Sequence, residues 1–537
     1  MKRTVVTLAI NAALRVIGTM PTCILGNAYS ATIRAFGGSG SGFIFDEDPT
    51  QSLPSGLVGT DNHDGTYTVA GTTSVPGPVH VFGTLMDDER NGPVPYSFTF
   101  LVQPLPLTIS GHIAGGLIGA AASGTYTISG GVAPYTVTVN SGTSPCDGNF
   151  DNTGAAQGNW QGPSGLHTWN VHVVDSVGTT SDLADSCTNS YATLTLTGTY
   201  PTAYTGVAYS EDIAIAGGSG SYSNPRTTSG SIGGLSLSIV NVSGSYKLRL
   251  SGTPSSFLAS NSVTFAVDSS DGQTATHTQA MQILDSVAIS IYNKIANSAG
   301  GAGVYFDLHE AQGANRVDQA NASFTLSEFA SSVATADGPR GSGDVCFDSG
   351  GNASSLASAS TNNSNVDVHG GGEWCVFGWW YATSTVPTSQ FRFLISYGDQ
   401  NSGTTVAYGM QDFQGTIYGG ATNGGSTTFT SGAQSEPSTN AWHFYCHWWQ
   451  SSDSKQRVAV DNGTPDVASL TNSDVNSVTQ PFRIGDDSSG TGAHRFQGRY
   501  SRVGVIKGGY LTSTERGWII NSGNGRDWGE IKTMAGH

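Results

Sequence analysis

Charge, cysteine and long apolar runs are all scarce in this chain of 537 residues. Only 11% of its residues are charged, whereas an ordinary globular chain carries about 25%. Asp and Glu number 39 against 22 Lys and Arg, which gives a net charge of −17 without a basic cluster. Nucleic-acid binding needs clustered cations, so the sequence argues against nucleic-acid partners and equally against acidic membranes. No apolar run approaches the roughly 20 residues of a membrane span.

The six cysteines are too few for a disulfide framework in a chain of this length. Cys346, Cys375 and Cys446 lie in apolar, strand-like runs, which favours buried thiols. Cys146 and Cys187 lie in polar, loop-like segments instead. A bridge between these two therefore stays open if the protein meets oxidising surroundings.

The first residues, MKRTVVTLAINAAL, have the basic start and apolar run of a secretory signal. Arg15 interrupts that run, and residues 14–20 already belong to a repeated strand, so cleavage near residue 28 would cut through the first repeat. We therefore expect an uncleaved chain. Residues 1–13 are interpreted as an N-terminal arm whose β-branched residues suit docking as an added strand.

Glycine is abundant in this sequence, with 73 residues. The chain also contains a repeated segment in which glycines mark the turns. LRVIGTMPTCILGNAYS (14–30) matches LTLTGTYPTAYTGVAYS (194–210), and a weaker copy begins at Leu107. The offsets are 93 (107 − 14) and 87 (194 − 107) residues. This period, combined with alternating apolar and polar residues, predicts tandem β-sandwiches over residues 14–104, 105–193 and 194–285.

Copies one and three share a fixed order of segments. GGSGSG, LPSGL, DGTYTVAGTT and VHVFGTLMDDERNG in the first correspond to GGSGSY, IGGL, SGSYKLRLSGTP and VTFAVDSSDG in the third, while the second carries an insertion over 140–165. These segments resemble a family of immunoglobulin-like modules of bacterial and phage proteins. The resemblance implies Ig-like sandwiches with a spacer or adhesive role and no catalytic residues.

Aromatic residues become dense after a short connector predicted over 286–302. Eight of the ten Trp lie beyond residue 370, which indicates a larger core. The segments EWCVFGWWYA, AWHFYCHWWQ, RVAVDNG and FQGRYSRVGVIKGGYLTSTE resemble, in this order, the laminin-G-like form of the concanavalin A-like lectin/glucanase superfamily. The resemblance covers 303–537 and implies a two-sheet jelly roll of about a dozen strands. The fold class is accordingly predicted as all-β.

One helix is predicted within this last segment, over residues 512–521. Thr512 is placed as its N-cap and Glu515 completes a capping box, while Gly523 is a stop signal.

The glutamates of the last segment do not form an enzyme motif. Glycosidases of this superfamily carry E-x-D-x-x-E or E-x-D-x-E on one strand, because retaining hydrolysis needs two carboxylates about 5 Å apart. No glutamate here has a carboxylate two residues further on, so we expect no enzymatic activity. The residues concerned are Glu310, Glu328, Glu373, Glu436, Glu515 and Glu530.

Candidate ligands lie in two loops of the same segment. Asp399, Asn401, Asp486 and Asp487 follow strands whose relatives in laminin-G-like domains feed rim loops that sometimes bind calcium and sugars. Carboxylate and amide oxygens suit calcium, so the resemblance makes these four residues candidates for calcium or glycan binding. The alternative is that Asp and Asn only form turns.

Two acidic runs in the first repeat, residues 46–48 and 87–89, have the same two interpretations. In the first interpretation, the two acidic runs bind a cation between neighbouring modules. In the second, they only form turns that are exposed to solvent. The turn interpretation is favoured.

Three spacers followed by a lectin-like domain form a layout that resembles virion proteins of tailed bacteriophages. It implies a capsid decoration, head fibre or tail fibre that is made in the host cytoplasm and binds host-surface glycans weakly through many copies. The expected partners are other virion proteins, a host glycan and further copies of this chain, with no cofactor beyond the calcium considered above. The alternatives are a secreted bacterial adhesin or carbohydrate-binding surface protein and, least favoured, a polysaccharide depolymerase.

Overall fold

A computed structural model describes most of the chain from residue 12 to its end. The ranges are 12–297, 301–320, 322, 324–329, 334–349, 355–358, 364–370, 372–385, 391–399, 405–423, 426–430, 434–470, 480–486 and 494–537. Strands dominate these ranges, which confirms the all-β prediction. Two compact units are present. The first holds the described residues up to 194 with the loops 217–221 and 269–273, and the second holds the described residues of the rest of the third repeat and the terminal domain.

The first repeat is a sandwich of two four-stranded sheets. Its strands are β1 (Arg15–Ile17), β2 (Cys23–Ile24), β3 (Tyr29–Phe36), β4 (Ile44–Glu47), β5 (Leu57–Asp61), β6 (Thr66–Gly71), β7 (Gly77–Met86) and β8 (Val94–Gln103). The strand orders are β1-β3-β6-β5 and β2-β8-β7-β4. Alternate residues point inward, so Ile33 and Tyr67 from one sheet meet Val81 and Leu85 from the other in a shared core.

The second repeat keeps fewer regular strands. They are β9 (Thr108–Ser110), β10 (Thr127–Ser129), β11 (Thr136–Gly142), β12 (Gly165–Val174) and β13 (Thr180–Asn189). They form a two-stranded and a three-stranded sheet. The predicted insertion contributes Phe150 and Trp160 to the core. Cys146 and Cys187 are both buried as free thiols.

The third repeat reproduces the first strand by strand. Its strands are β14 (Thr195–Thr197), β15 (Ala203–Tyr204), β16 (Tyr209–Ala216), β17 (Tyr222–Ser229), β18 (Ser236–Val242), β19 (Ser245–Gly252), β20 (Leu258–Ser269) and β21 (Thr274–Leu284). The orders β14-β16-β19-β18 and β15-β21-β20-β17 match those of the first repeat. The short parallel pairing recurs as well: Cys23 is opposite Val102 in the first repeat, and Ala203 is opposite Ile283 in the third.

A double-glycine turn recurs in all three repeats. Both glycines have positive φ, a conformation that other residues rarely adopt, and the N–H of the next residue donates to one buried acceptor. The turns are Gly37–Gly38, Gly130–Gly131 and Gly217–Gly218. The acceptors are Asp87 for Ser39 (2.7 Å), Asp175 for Val132 (2.9 Å) and Ser269 for Ser219 (2.9 Å).

The segment predicted as a connector after the third repeat is instead a helix, α1 (Ser286–Ala296). The Asp285 side chain caps it by accepting hydrogen bonds from the N–H groups of Val287 and Ala288. Ile291 and Ile295 are fully buried against the terminal domain. This helix was not predicted, because its apolar face at helical spacing was overlooked in the sequence.

The terminal domain consists of two large sheets. Its strands are β22 (Val304–Phe306), β23 (Arg316–Val317), β24 (Thr325–Phe329), β25 (Ala334–Gly338), β26 (Gly341–Asp348), β27 (Ser355–Ser358), β28 (Trp374–Ala382), β29 (Phe391–Asp399), β30 (Thr405–Phe413), β31 (Thr416–Asn423), β32 (Ser426–Phe429), β33 (Gln434–Ser435), β34 (Trp442–Gln450), β35 (Lys455–Val460), β36 (Asp466–Ser469), β37 (Phe482–Ile484) and β38 (Gly498–Lys507). The first sheet, of eight described strands, has the order β25-β26-β38-β28-β34-β35-β36 with β22 on β38. The second, of nine, has the order β23-β24-β27-β37-β29-β30-β31-β32 with β33 on β31.

Two helices follow these strands, α2 (Ser513–Ile520) and α3 (Trp528–Ala535). The predicted helix start is confirmed, since Thr512 is the N-cap of α2 and forms the capping box with Glu515. The helix α3, capped by Asp527, was not predicted. Helices α1, α2 and α3 cover the outer face of the eight-stranded sheet, where Ile519 and Trp528 pack with Phe377. None of the helices in the described ranges has the length and apolar character of a membrane span.

Candidate functional site

The predicted rim ligands of the terminal domain do not converge within the described residues. Asp486 is fully buried, and its carboxylate pairs with Nε of Arg495 at 2.9 Å. Asp399 ends β29, while Asn401 and Asp487 lie outside the described residues. Among described residues no group of three or more His, Cys, Asp or Glu is arranged to hold a metal ion. The calcium or glycan role of these loops stays a prediction.

A row of aromatic side chains occupies the nine-stranded sheet, beginning with Phe391 at the end of β29 opposite Asp399. Phe391 is on β29, Phe413 on β30, Tyr418 on β31 and Phe429 on β32. These four strands are consecutive neighbours. Adjacent strands lie about 4.8 Å apart, so the row extends roughly 15 Å across the sheet.

The register of the strands places these rings on the face that points away from the core. On β30, Tyr408 and Met410 belong to the core between the sheets, so Phe413 has the opposite orientation. On β31, Ile417 and Ala421 belong to that core, so Tyr418 likewise points outward. Phe391 is opposite Phe413 in the register and therefore shares its face.

The rings are in mutual contact. Phe391 and Phe413 are stacked with centroids 4.5 Å apart, and His494 meets the edge of Phe391 at 5.4 Å. Tyr418 lies 6.5 Å from Phe413 and 6.4 Å from Phe429. The absence of a side chain at Gly420 makes room for Phe429, since a Cβ there would lie 2.7 Å from its ring.

We call the rings of Phe391, Phe413, Tyr418, Phe429 and His494 the aromatic face. Phe429 is 37% exposed, and the other four rings are half-buried. Aromatic rings held this way offer flat apolar area with little conformational freedom left to lose on binding. The C–H face of a sugar ring is a suitable partner, because stacking removes apolar surface of both from water.

The opposite side of the same sheet carries a buried acid pair. Asp412 on β30 is 2% exposed and lies beside the Glu436 carboxyl group, and Oδ1 of Asp412 and Oε1 of Glu436 have no hydrogen-bond partner among the described residues. Burial and the Glu436 carboxylate raise the pKa of Asp412 to about 8, although Arg392 acts in the other direction.

No protein-family model matches this chain, and no curated protein matches it. Among solved structures it is similar to an endo-fucoidan hydrolase of glycoside hydrolase family 107, with 16% identity and a TM-score of 0.21 over 51% of this chain and 45% of that one. It is also similar to the binding domain of botulinum neurotoxin serotype D, with 10% identity and a TM-score of 0.33 over 44% and 53%.

A third similar structure is domain 4 of AbnA, an extracellular arabinanase from Geobacillus stearothermophilus. It has 13% identity and a TM-score of 0.29 over 40% of this chain and 95% of that one. The chain spans less than half the length of the fucoidan hydrolase. These TM-scores are too low to bear on function.

The sequence analysis did not single out any member of the aromatic face. Its Phe and Tyr residues lie on four strands separated by loops, and His494 lies outside the strands, so their proximity depends on strand register. The available signal was an aromatic residue at a solvent-facing position of several successive strands, for example Tyr418 beside the inward-facing Ile417. Such a pattern becomes visible only when the inward positions are known.

Proposed function

We propose that this protein binds surface glycans through the aromatic face of its terminal domain. The observation that carries the proposal is the contiguous row of outward-facing rings on β29, β30, β31 and β32. A single sugar ring stacked on one aromatic ring binds weakly. Several copies of the protein on one particle would supply avidity.

In this proposal the terminal domain binds glycans without cleaving them. The acid pair on β30 and after β33 supports that interpretation, because Asp412 is nearly inaccessible and lies on the opposite side of the sheet from the aromatic face. A glycosidase pair also needs space for the sugar between the two carboxyl groups, whereas the Glu436 carboxylate is close enough to Asp412 to raise the pKa of Asp412.

The three sandwiches serve as spacers in the same proposal. The third is joined to the terminal domain through α1 rather than through a loose connector. Asp285 accepts a hydrogen bond from Nε1 of Trp518 at 2.9 Å, and Lys294 pairs with Glu515 at 2.6 Å. These two contacts fix both ends of α1 to the terminal domain, as expected for a protein that presents a binding domain at a fixed distance from its spacers.

The place of action in this proposal is the surface of a bacteriophage virion, as capsid decoration, head fibre or tail fibre, with further copies and other virion proteins as partners. The repeat layout supports it. The alternative is a secreted bacterial adhesin. Gold-labelled antibodies on purified particles and on cells separate the two, because labelling confined to the cell surface would contradict the virion assignment.

Glycan binding is tested with the full chain on immobilised bacterial polysaccharides by surface plasmon resonance. Replacing Tyr418 and Phe429 by Ala should weaken binding at least about tenfold, since each lost stack removes on the order of 1 kcal/mol. Phe36→Ala is the matched control, because Phe36 is 45% exposed in the first sandwich.

Equal binding by the double variant and the Phe36→Ala control would contradict the proposal. Release of reducing ends from a bound polysaccharide would contradict its non-catalytic part.

A further inference from the structure

One buried polar side chain, that of Gln411 on β30, lies among the rings of the aromatic face. Gln411 is two residues before Phe413, so the two side chains share the side of the sheet that points away from the core. The register places Gln411 opposite Tyr418 of β31 and opposite Phe393 of β29. Side chains that are directly opposite each other lie about 5 Å apart. Gln411 is therefore flanked by aromatic residues on both neighbouring strands.

The Gln411 side chain is largely buried and has no partner within the described part of the protein. Gln411 is 6% exposed, and its amide forms no hydrogen bond with the described residues. A glutamine amide has an oxygen that accepts and two N–H groups that donate. Buried polar groups are normally hydrogen-bonded, because an unpaired one destabilises the folded state. The position of this amide therefore has a cost that the fold itself does not offset.

Two other buried polar side chains on this side of the sheet are paired within the protein. The Thr422 hydroxyl on β31 lies 2.5 Å from the hydroxyl of Thr427 on β32. The Ser396 hydroxyl on β29 donates to the backbone carbonyl of Asp486 at 2.9 Å. Both residues alternate with side chains that point into the core between the sheets, as Gln411 does. Only the amide of Gln411, among these three, is left for a molecule outside the chain.

A sugar that stacks on the aromatic face brings polar groups to the same place. Its C–H groups cover an aromatic ring, while the substituents at the edge of the sugar project towards whatever lies beside that ring. The oxygen and the N–H groups of the Gln411 amide are complementary to a substituent that donates and accepts at once. A hydroxyl group has this property and so does an acetamido group, whereas a hydrocarbon chain does not.

We propose that Gln411 determines the specificity of the aromatic face by forming hydrogen bonds with a hydroxyl or acetamido group of the stacked sugar. This inference rests on the proposed function of that face. Stacking alone discriminates weakly, because many sugars present a similar C–H surface. A buried amide discriminates strongly, because a ligand without the matching group leaves the amide unpaired. The rings thus supply affinity, and Gln411 selects the sugar.

The test compares two variants of the full chain, Gln411→Met and Gln434→Met, by surface plasmon resonance on immobilised cellohexaose and chitohexaose. These two probes differ only in carrying a hydroxyl or an acetamido group at C2 of each sugar. Gln411→Met keeps an unbranched side chain without the amide and should weaken binding of the preferred probe about tenfold. A loss confined to chitohexaose identifies the acetamido group, and a loss on cellohexaose identifies the hydroxyl group.

Gln434→Met is the matched control and should bind both probes like the natural protein. Gln434 on β33 belongs to the same domain, and its amide donates to the Thr464 carbonyl at 2.8 Å. It is opposite Ile417 in the register, and Ile417 points into the core. Gln434 therefore lies on the side of the sheet away from the aromatic face.

Thermal unfolding of the free variants separates recognition from a structural role. Gln411→Met removes an unpaired buried amide, so the unfolding temperature of the terminal domain should stay the same or rise. A larger fall than in Gln434→Met would overturn the inference, because the amide would then stabilise the fold.

Two binding results would also overturn it. They are equal binding of the two Met variants and binding of neither probe by the natural protein. If Gln411→Met binds normally while replacement of Tyr418 and Phe429 by Ala still weakens binding, only this inference fails. If that double variant binds normally as well, the proposed function of the aromatic face fails with it.

Discussion

Two nearly buried aspartates, one in the first sandwich and one in the terminal domain, are stabilised in opposite protonation states. Asp87 is 4% exposed. It accepts hydrogen bonds from the N–H groups of Ser39 and Asn91, both at 2.7 Å. Burial alone raises the pKa of Asp87, but the bonds from Asn91 and Ser39 outweigh it and lower this pKa to about 2. Asp412 is 2% exposed and faces another carboxylate, and its pKa rises to about 8.

The difference shows that burial does not decide the charge of a carboxyl group in this protein. The neighbouring groups decide the charge of a buried carboxyl group, because N–H donors stabilise the carboxylate whereas a second carboxylate stabilises the protonated acid. Asp175 in the second repeat supports the rule: it is buried, yet N–H donors from Thr179, Val132 and Val177 lower its pKa. The double-glycine turns of the first two repeats thus depend on an ionised acid, whereas the terminal domain buries an acid whose pKa is raised.

The largest effect is expected from Asp87→Ala, which leaves the N–H groups of Ser39 and Asn91 without their acceptor. The unfolding temperature of the first sandwich should fall by roughly 10 °C. Hydrogen exchange followed by mass spectrometry would assign the loss to peptides from residues 14–104. Asp87→Asn, which keeps an oxygen acceptor but no charge, should lie between the variant and the natural protein.

The effect of Asp87 also has a defined pH dependence. Because its folded-state pKa is depressed, its contribution is complete above the ordinary carboxyl pKa of about 4 and is lost as the pH falls towards 2. The gap between Asp87→Ala and the natural protein should therefore shrink in acid. A gap that stays constant from pH 7 to pH 2.5 would contradict the assigned charge.

A smaller effect of opposite sign is expected at Asp412. Its folded-state pKa is raised, so the folded terminal domain keeps a proton that the unfolded chain releases above about pH 4. Stability of this domain should decrease as the pH rises from about 4 to about 8 and level off above that. Asp412→Asn keeps a donor for Glu436 and cannot ionise, so this part of the slope should disappear.

Calorimetry between pH 5 and pH 9 measures this change, with Asp87→Asn as the control that leaves the terminal domain unaffected. An unchanged slope in Asp412→Asn would mean that Asp412 is ionised in the folded state. The contrast with Asp87 would then be lost.

Much of the fold follows from local patterns in the sequence. Alternation along β3 and β16 fixes which side chains point inward, and the glycine turns fix where each strand ends, so the repeats were predictable. The start of α2 was predictable because Thr512 and Glu515 are three residues apart. The helix α1 was missed although Val287, Ile291 and Ile295 have helical spacing, because the segment was interpreted only as a join between domains.

The candidate site was less predictable, for a physical reason. Asp486 is predicted as a calcium or glycan ligand from its residue type, but its burial and its ion pair with Arg495 could not be predicted from the sequence. Phe391 and Phe413 meet only because β29 and β30 pair in a particular register. Asp412 and Glu436 meet only because β33 returns to the edge of β31. Contacts across a sheet are encoded by the whole set of strands and not by any single segment.

The smallest effect is expected at Ser269, which takes the place of Asp87 in the third repeat. Its Oγ accepts the Ser219 N–H at 2.9 Å without a charge, and a neutral hydrogen bond contributes about 1 kcal/mol. Ser269→Ala should therefore lower the unfolding temperature of the third sandwich by about 5 °C, roughly half the loss in Asp87→Ala. Because a hydroxyl does not titrate in acid, the gap between this variant and the natural protein should be the same at pH 3 and pH 7. Equal losses in the two variants would show that the acceptor's position, and not its charge, stabilises the double-glycine turn.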